Sequence, residues 1–329
     1  MNASEVLPAQ FNVATYFVDR NVAEGRGASP AFLYEDRTLT YPDVQELANR
    51  PGNALLELGV GMEDRVLMLC LDAPEFVGTF WGAIKIGANP VPVNTLMRSA
   101  DYLYFLNDSR AKVAVLSAPL LAEAAPALVE ARYLKHVLIA GGHAGQFMSW
   151  EDRIAKASAT LEAAPMLRDE AAFWLYSSGS TGFPKGAVHL QHDMVVCAET
   201  YAKQTLGMRQ TDRVFSAAKL FFAYGLGNAG YFPMSVGAQS VLYPHRPMPE
   251  AMFEVIARYR PTIFFGVPTL YAGMLAVKEA EQRFDTSSLR VCVSAGEALP
   301  DEIYKHWRER FGVEIIDGIG TTELLHIFL

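Results

Sequence analysis

Short apolar runs alternate with longer mixed segments along most of the chain, and this alternation predicts strands followed by helices. The run Arg65–Leu71 (RVLMLCL) is apolar after its first residue, as in a strand buried on both faces. Asp72 is predicted to cap the next helix, with Pro74 in its first turn and Gly87 at its end. Val91–Val93 then looks extended, which completes a predicted β-α-β unit with parallel strands.

The same order recurs through the rest of the chain. The further predicted strands are Val113–Leu116, Phe173–Ser177, Thr262–Phe265, Leu289–Ser294 and Val313–Asp317. The further predicted helices are Ser99–Leu106, Gln191–Leu206 with a stop at Gly207, one starting near Pro268, and Pro300–Phe311 ended by Gly312. This alternation predicts an α/β fold with mostly parallel sheets. The less patterned, alanine-rich stretch 157–169 predicts a boundary between an N-terminal α/β subdomain, 1–165, and a second one, 166–329.

Composition narrows the classes of partner. Hydrophobic residues make up 51% and charged residues 19% of the 329 residues, as in a globular protein with a large core. The net charge of -8 and the pI near 5.4 leave no broad basic face, which argues against nucleic acid as a partner. No apolar run approaches the roughly 20 residues of a membrane helix. Without a visible signal peptide and with three dispersed cysteines, the sequence predicts a soluble cytoplasmic protein.

The segment Tyr176–Gly186 (YSSGSTGFPKG) is too rich in glycine and hydroxyl groups to form core. The strand predicted before it would place it at the carboxyl end of a parallel strand, where α/β sheets bind ligands. Successive backbone N–H groups, together with Lys185, predict a cradle for polyphosphate. It is not a Walker A loop, because Pro184 precedes the lysine and glycine follows it, nor a G-x-G-x-x-G turn. On composition alone, a flexible connection stays open.

Three motifs in order resemble the adenylate-forming superfamily, which includes acyl-CoA synthetases, luciferases and peptide-synthetase adenylation domains. SSGSTGFPKG resembles its phosphate-binding signature, and SAGEALP (Ser294–Pro300) resembles its adenine-binding turn. DGIGTTE (Asp317–Glu323) resembles its third motif, with Ile319 where a tyrosine is usual. FFAYGLGN (Phe221–Asn228) is most similar to benzoate-CoA ligases. The resemblance implies the layered α/β large domain of these enzymes, built from two mostly parallel sheet subdomains.

The resemblance also implies a reaction and its residues. A carboxylate is joined to the α-phosphate of ATP with release of pyrophosphate, and the acyl group then passes to CoA. The implied catalytic residues are Thr322, Glu323 and Lys185, of which Glu323 holds Mg²⁺ together with Thr181. The implied nucleotide-binding residues are Ser177, Ser178, Gly179, Ser180, Thr181, Gly182, Gly296, Glu297, Ala298, Asp317, Gly318, Ile319, Gly320 and Thr321. Taken alone, Glu323 could equally be a solvated or helix-capping acid.

The substrate class rests on a segment without acids. No carboxylate occurs from Lys219 to Asn228, so the ammonium group of an amino acid would be buried there without a partner. Aromatic and small residues suit a flat ring, although such a cluster could also be core. By resemblance the acid-binding residues are Phe222, Ala223, Tyr224, Gly225, Ala295 and His326. The implied product is benzoyl-CoA, as in the catabolism of aromatic acids. A ligase for a hydroxybenzoate or a cyclohexane carboxylate stays open, as does a non-catalytic module that binds ATP or an acid.

Two features complete the sequence-based expectations. The pair His189/His192 has a spacing typical of metal ligands, but no cluster of other ligands supports a metal site. Both are therefore interpreted as surface or helix-start residues. The chain stops at the apolar run LLHIFL (324–329), which predicts a piece of a longer protein. Superfamily members carry a small C-terminal domain with a catalytic lysine, so this chain is expected to bind its substrates without completing the reaction. Its predicted partners are an aryl carboxylate, ATP and CoA, with no membrane, and a homodimer is left open.

Overall fold

A computed structural model describes residues 7–177 and 182–329, and it shows the α/β fold with mostly parallel sheets that the sequence predicts. The strands in these residues are β1 (Pro30–Tyr34), β2 (Arg37–Thr40), β3 (Arg65–Leu69), β4 (Asn89–Pro92), β5 (Val113–Ser117), β6 (His136–Ala140), β7 (Met148–Ser149), β8 (Ala171–Ser177), β9 (Lys185–Leu190), β10 (Arg213–Ser216), β11 (Gln239–Leu242), β12 (Ile263–Gly266), β13 (Val291–Ala295) and β14 (Ile315–Gly318).

Helices connect most of these strands. The α-helices are Arg20–Ala23, Tyr41–Glu57, Pro74–Lys85, Ser99–Asp108, Leu121–Glu130, Trp150–Lys156, Asp193–Cys197, Phe232–Val236, Pro249–Tyr259, Pro268–Leu275, Ala280–Arg283 and Asp301–Phe311, with a single turn at Ala223–Gly225. Wider, π-helical segments occur at Thr15–Asp19, Ala198–Thr205 and Leu226–Tyr231, and a 3₁₀ turn at Ala118–Leu120. Over the described part of the chain, none of the helices combines the length and apolar character that crossing a membrane requires.

The first compact unit comprises Met1–Ser29, as far as it is described, and Thr40–Val196. Its parallel sheet has the order β4-β3-β5-β6-β7, so the predicted β-α-β unit is present as β3, the helix Pro74–Lys85 and β4. The predicted cap was wrong by one residue. The backbone is extended at Ala73, which is the N-cap in place of Asp72, because Pro74 is already the first helical residue.

The first unit also contains a two-stranded antiparallel sheet, β8 with β9. This corrects the expectation that the glycine-rich segment follows a strand of a parallel sheet. The residues after it, Lys185–Leu190, are extended and pair antiparallel with β8, so β8 and β9 form a hairpin. We call β8, β9 and the residues between them the glycine hairpin.

The second compact unit comprises Pro30–Leu39 and Cys197–Leu329 and contains a sheet of seven strands in the order β14-β13-β12-β10-β11-β1-β2. From β10 the chain moves outward to β11 on one side and then to β12 on the other. The order therefore reverses between β10 and β12, and their carboxyl ends form the crevice where such sheets bind ligands. Phe253, Tyr271 and Trp307 lie in the core beneath one face.

Of two further predicted helix boundaries, the first differs in the structure and the second is confirmed. The predicted helix Gln191–Leu206 starts at Asp193, whose carboxylate accepts from the backbone N–H of Leu190, and it widens to a π-helix at Ala198–Thr205. The predicted stop of the last helix is confirmed, since Gly312 caps it in the left-handed conformation. The compact units are bounded differently from the predicted subdomains 1–165 and 166–329, and that sequence boundary stays a prediction.

Candidate nucleotide and acid sites

The described ends of the glycine hairpin have a defined register. Tyr176 lies opposite Gly186 and Ser177 opposite Lys185, so both candidate residues, Ser177 and Lys185, flank the turn directly. Gly182 is exposed with φ of +126°, a conformation that only glycine adopts readily. Lys185 is exposed as well. The candidate phosphate-binding residues Ser178, Gly179, Ser180 and Thr181 lie outside the described residues.

In the second unit, the candidate adenine-binding residues lie at the carboxyl edge of the sheet. β13 and β14 are parallel neighbours, with Ala295 opposite Gly318. Gly296, Glu297 and Ala298 follow β13 and are exposed. The Leu299 N–H, at the end of this turn, donates to Oδ2 of Asp317 at 3.0 Å. The predicted adenine turn and Asp317 are therefore brought together at one sheet edge.

The residues 319–329 form a tight turn that pairs back on itself, and we call it the threonine turn. Ile319 exchanges backbone hydrogen bonds with Phe328 and Leu329, and Gly320 bridges to Ile327. A Cβ on Gly320 would lie 2.7 Å from the His326 carbonyl oxygen, so the close pairing requires glycine. Ile319 itself is 59% exposed and can offer a ligand an apolar surface.

The hydroxyl and carboxylate side chains of the threonine turn differ in their hydrogen bonds and in their exposure. Oγ1 of Thr321 accepts from the Leu324 N–H at 3.1 Å, which shapes the turn, whereas Thr322 is half-buried and Glu323 is exposed. In residues 7–177 and 182–329 no three His, Cys, Asp or Glu side chains group as a metal site. Mg²⁺ commonly binds one or two carboxylates and takes its other ligands from phosphates and water, so a single exposed Glu323 fits the implied ion.

Within the threonine turn, the side chain of His326 is buried and enclosed by aromatic rings. Its side chain is 2% exposed, and its ring lies 4.4 Å from Phe232, 5.1 Å from Tyr201 and 5.4 Å from Tyr224, between centroids. Nε2 of His326 lies 2.9 Å from Oδ1 of Asn228. We call these five residues the histidine cluster.

The histidine cluster keeps its imidazole neutral. Burial lowers the pKa of His326 from 6.5 to about 3, although the Tyr224 backbone favours the protonated form. Nδ2 of Asn228 donates to Oγ of Ser216 at 3.3 Å, which turns the amide oxygen towards the imidazole. In the neutral imidazole, Nε2 of His326 therefore carries the hydrogen and donates a hydrogen bond to Oδ1 of Asn228.

Tyr224 connects the cluster to the sheet. Its hydroxyl lies 3.2 Å from the carbonyl oxygens of Gly266, at the end of β12, and Val293, in β13. Burial of this hydroxyl raises the pKa of Tyr224 well above its ordinary value. Next to it, a Cβ on Gly225 would lie 2.1 Å from the Lys219 carbonyl oxygen, so only glycine fits. Tyr224 and His326, both predicted to bind the acid substrate, thus meet at the crevice between β10 and β12.

The other residues predicted to bind the acid substrate differ in how closely they lie to the histidine cluster. Ala223 is buried beside Tyr224, and Ala295 is buried at the end of β13. Phe222 is 48% exposed, and its ring packs on Phe221 at 4.5 Å. None of the described ring contacts joins Phe222 to the histidine cluster.

Sequence reasoning missed three members of the cluster. Tyr201 lies in a π-helical segment with no motif, and Phe232 follows the quoted motif by four residues. Asn228 is within the motif but was not singled out. A signal existed only for Asn228, as a polar residue in an otherwise apolar stretch. The two π-helical segments that carry Tyr201 and Asn228 agree with the frequent use of such irregular turns at functional sites.

The histidine pair of the glycine hairpin needs one correction. His189 is buried and stacks on Phe173 at 4.9 Å, so it is a core residue and not a surface residue. Its Nδ1 lies 3.3 Å from Oδ2 of Asp193, and His192 lies against the same carboxylate group. This arrangement supports the start of the helix at Asp193.

Comparison with known proteins gives consistent matches. A profile of the family described as AMP-binding enzyme matches residues 19–329. Benzoate–CoA ligase of Thauera aromatica is 50% identical over 98% of this chain, which covers 61% of that ligase. The 4-hydroxybenzoate–CoA/benzoate–CoA ligase of Rhodopseudomonas palustris (strain ATCC BAA-98 / CGA009) is 42% identical over 97% of this chain, which covers 59% of that ligase. A crystal structure of an anthranilate CoA ligase with anthranoyl-AMP matches with a TM-score of 0.96 and 41% identity, over all of this chain and 63% of that one. The chain thus spans about three fifths of the length of these relatives.

Proposed function

Because this chain belongs to the family of AMP-binding enzymes, we propose that its protein activates benzoate with ATP and transfers the acyl group to CoA. The products are benzoyl-CoA, AMP and pyrophosphate. The relatives named benzoate–CoA ligase support this substrate. The observation that carries the proposal is the histidine cluster, an aromatic-lined site at the sheet crevice whose imidazole is neutral.

The cluster favours an uncharged ring over an amino acid. Of the cluster side chains that surround His326, three are aromatic and the fourth is the amide of Asn228. Moving an ammonium group into such surroundings without a carboxylate partner is costly. Flat aromatic surfaces, in contrast, gain roughly 0.5–1.5 kcal/mol per ring pair beyond simple burial.

The proposed chemistry has two displacements. In the first, a carboxylate oxygen of benzoate forms a bond to the α-phosphorus of ATP, and the bond from that phosphorus to pyrophosphate breaks. In the second, the thiolate of CoA attacks the carbonyl carbon of benzoyl-AMP, and AMP leaves. Since both reactants of the first step are anions, the protein mainly has to neutralise charge and align the two groups.

We assign the polar residues of this reaction as follows. Lys185 and the backbone of the glycine hairpin bind the β- and γ-phosphates, and Thr322 donates to the α-phosphate. Glu323 and Thr181 hold Mg²⁺, which supplies charge neutralisation at the phosphates. Gly296, Glu297, Ala298 and Asp317 bind the adenine, whose plane can lie on the exposed backbone and on Ile319.

The cysteines Cys70, Cys197 and Cys292 form no disulfide among the described residues, which supports a reducing compartment such as the cytoplasm.

One observation favours a second substrate class. The hydroxyl of Tyr201 is buried and has no hydrogen-bond partner among the described residues. A hydroxyl or amino group on the ring could pair with it, and such a pair can decide specificity. The relatives that act on 4-hydroxybenzoate and anthranilate agree with this alternative. Titration of Tyr201→Phe with benzoate and with its three hydroxy derivatives separates the two alternatives, because only a substituted acid would lose affinity.

The main test measures the binding of the acid and the binding of the nucleotide separately. Isothermal titration of this chain with benzoate, with ATP·Mg²⁺ and with a non-hydrolysable benzoyl-adenylate analogue should give tightest binding for the analogue. Glu323→Gln should weaken ATP·Mg²⁺ by about tenfold or more, as expected for one lost charge-assisted contact, and leave benzoate unchanged. Glu309→Gln, which changes an exposed acid on the helix Asp301–Phe311, is the matched control.

A second variant tests the acid site directly. Ala223 is buried beside Tyr224, so Ala223→Trp should fill the ring site and abolish benzoate binding while ATP·Mg²⁺ still binds. Thermal melting establishes that the variant is folded. Undiminished benzoate affinity in a folded Ala223→Trp protein would remove this cluster from the acid site.

A further inference from the structure

The helix Ser99–Asp108 contacts the glycine hairpin on both sides of its turn, within the first unit. After the turn, the hydroxyl of Tyr104 donates to the carbonyl oxygen of Pro184 at 2.8 Å. Before the turn, the hydroxyl of Tyr176 donates to Oδ2 of Asp108 at 2.6 Å. Tyr104 and Asp108 are four residues apart and therefore lie on the same face of the helix. One helix face thus binds β8 near its end and the residue directly before β9.

Ring contacts reinforce both hydrogen bonds. Tyr104 stacks on Phe183 with 5.0 Å between centroids and 15° between planes. Phe105 packs on Tyr176 at 4.6 Å.

The supporting helix is itself well anchored. Tyr102, Phe105 and Leu106 are buried in the core of the first unit. The Asp101 carboxylate accepts from the Arg98 backbone N–H at the start of the helix. The helix is therefore a fixed support, against which the hairpin can be positioned.

Ordinary core packing does not explain the contact with Phe183. This side chain remains 73% exposed although it stacks on Tyr104, so little apolar surface is removed from water. Its contribution to global stability is correspondingly small. What the contact does define is the path of the backbone at 183–185, directly before Lys185.

We propose that Tyr104 and Asp108 are positioning residues. They brace the two strands of the glycine hairpin beside its turn and thereby hold Lys185 in position to bind ATP. Neither residue is assigned a contact with a reacting atom. The role in ATP binding rests on the proposed function, whereas the bracing itself does not.

Three variants test the brace. Tyr104→Phe removes only the hydroxyl that binds Pro184, and Asp108→Ala removes the acceptor of Tyr176. Asp108→Asn retains an amide oxygen that can accept the same hydrogen bond and should restore the parent behaviour. Tyr259→Phe is the matched control, since the hydroxyl of this half-buried tyrosine also donates to a backbone carbonyl, that of Glu35, at 2.7 Å in the second unit.

Hydrogen–deuterium exchange measures the brace without any ligand. Tyr104→Phe should raise exchange in peptides covering 182–190, and Asp108→Ala in those covering 171–177, while the melting temperature changes no more than in Tyr259→Phe. Asp108→Asn should exchange as the parent does. Unchanged exchange of the hairpin in both Tyr104→Phe and Asp108→Ala would overturn the inference.

Titration with ATP·Mg²⁺ measures the consequence. Tyr104→Phe should weaken ATP·Mg²⁺ by about three- to tenfold, the range of one lost hydrogen bond, with benzoate affinity within about twofold of the parent. Faster exchange with unchanged ATP·Mg²⁺ affinity would overturn the positioning role. A parent that binds no ATP would instead contradict the proposed function, and hydrogen exchange would still decide whether the brace exists.

Discussion

The glycine hairpin and the threonine turn both carry polar candidate residues, yet they are supported in opposite ways. The glycine hairpin is supported from outside, by the half-buried Tyr104 and the exposed Asp108 of a neighbouring helix. The threonine turn is supported from inside, by backbone pairing of Ile319 and by its own buried side chain His326. The first is positioned at the surface of its unit, and the second is built onto the core of its own.

The difference predicts where perturbations are felt. Changes at a buried support remove packing and alter the charge state of enclosed groups, so they affect the free energy of unfolding of the whole unit. Changes at an exposed support mainly alter local order, because little surface and few contacts are lost. The contrast can be tested at four positions, beginning with the largest expected effect.

The largest effect is expected from protonation of His326. Its pKa is 6.5 in the unfolded reference and about 3 in the folded protein, so the unfolded chain binds more protons between these values. The stabilisation is fully present above pH 6.5 and is lost as the pH falls towards 3. The free energy of unfolding of the parent should therefore drop, relative to His326→Gln, by about 3 kcal/mol from pH 7 to pH 4. Urea unfolding at several pH values measures this.

The control for this titration is an exposed histidine of the same unit. The variant His245→Gln serves as this control. Parallel curves for the parent and His326→Gln would show that the buried imidazole does not support the threonine turn in its neutral form.

A smaller loss is expected from Gly225→Ala in the second unit. The added Cβ would lie 2.1 Å from the Lys219 carbonyl oxygen, and a backbone group cannot move aside cheaply. The variant should lose about 2–3 kcal/mol of unfolding free energy, as overpacked sites do. Thermal or urea unfolding gives the value, and a loss below that of Gly182→Ala would reverse the proposed contrast.

Gly182→Ala tests the exposed hairpin. Among the described residues nothing lies within 4 Å of the added Cβ, and the unusual φ of +126° is what opposes the substitution there. The strain should cost about 1–2 kcal/mol, confined to the turn. Exchange of peptides covering 182–190 should rise, and the free energy of global unfolding should fall by no more than this strain. A global loss as large as that of Gly225→Ala would mean that this turn is also integrated with a core.

The smallest effect is expected from Tyr224→Phe, which removes a hydroxyl shared between two carbonyl oxygens. Val293 keeps a second donor, the hydroxyl of Tyr271 at 2.9 Å, so only the Gly266 carbonyl loses a described side-chain partner. The loss should be about 1 kcal/mol, as for one hydrogen bond. A loss of several kcal/mol would show that Tyr224 fixes the ends of β12 and β13 more strongly than its geometry indicates.

The sequence alone determined the α/β class, most strand positions and the motifs. Strands such as β3 and β13 are short continuous apolar runs, because strands of a parallel sheet are covered on both faces and local composition then reveals them. Gly312 was predicted as a helix stop for a similarly local reason, since the left-handed conformation favours glycine. The candidate residues of the three motifs follow from spacing and residue type, which are also local properties.

Only the tertiary structure decided how those residues are supported. Whether β8 joins a parallel sheet or pairs with β9 depends on a partner that the pattern of a single strand does not specify. Tyr104 lies 80 residues before Pro184 and meets the hairpin only through folding, and Tyr201 likewise meets His326 from a distant segment of the chain. The neutral state of His326 depends on burial, which removes water from the imidazole and is a property of the assembled core, so no stretch of sequence could display it.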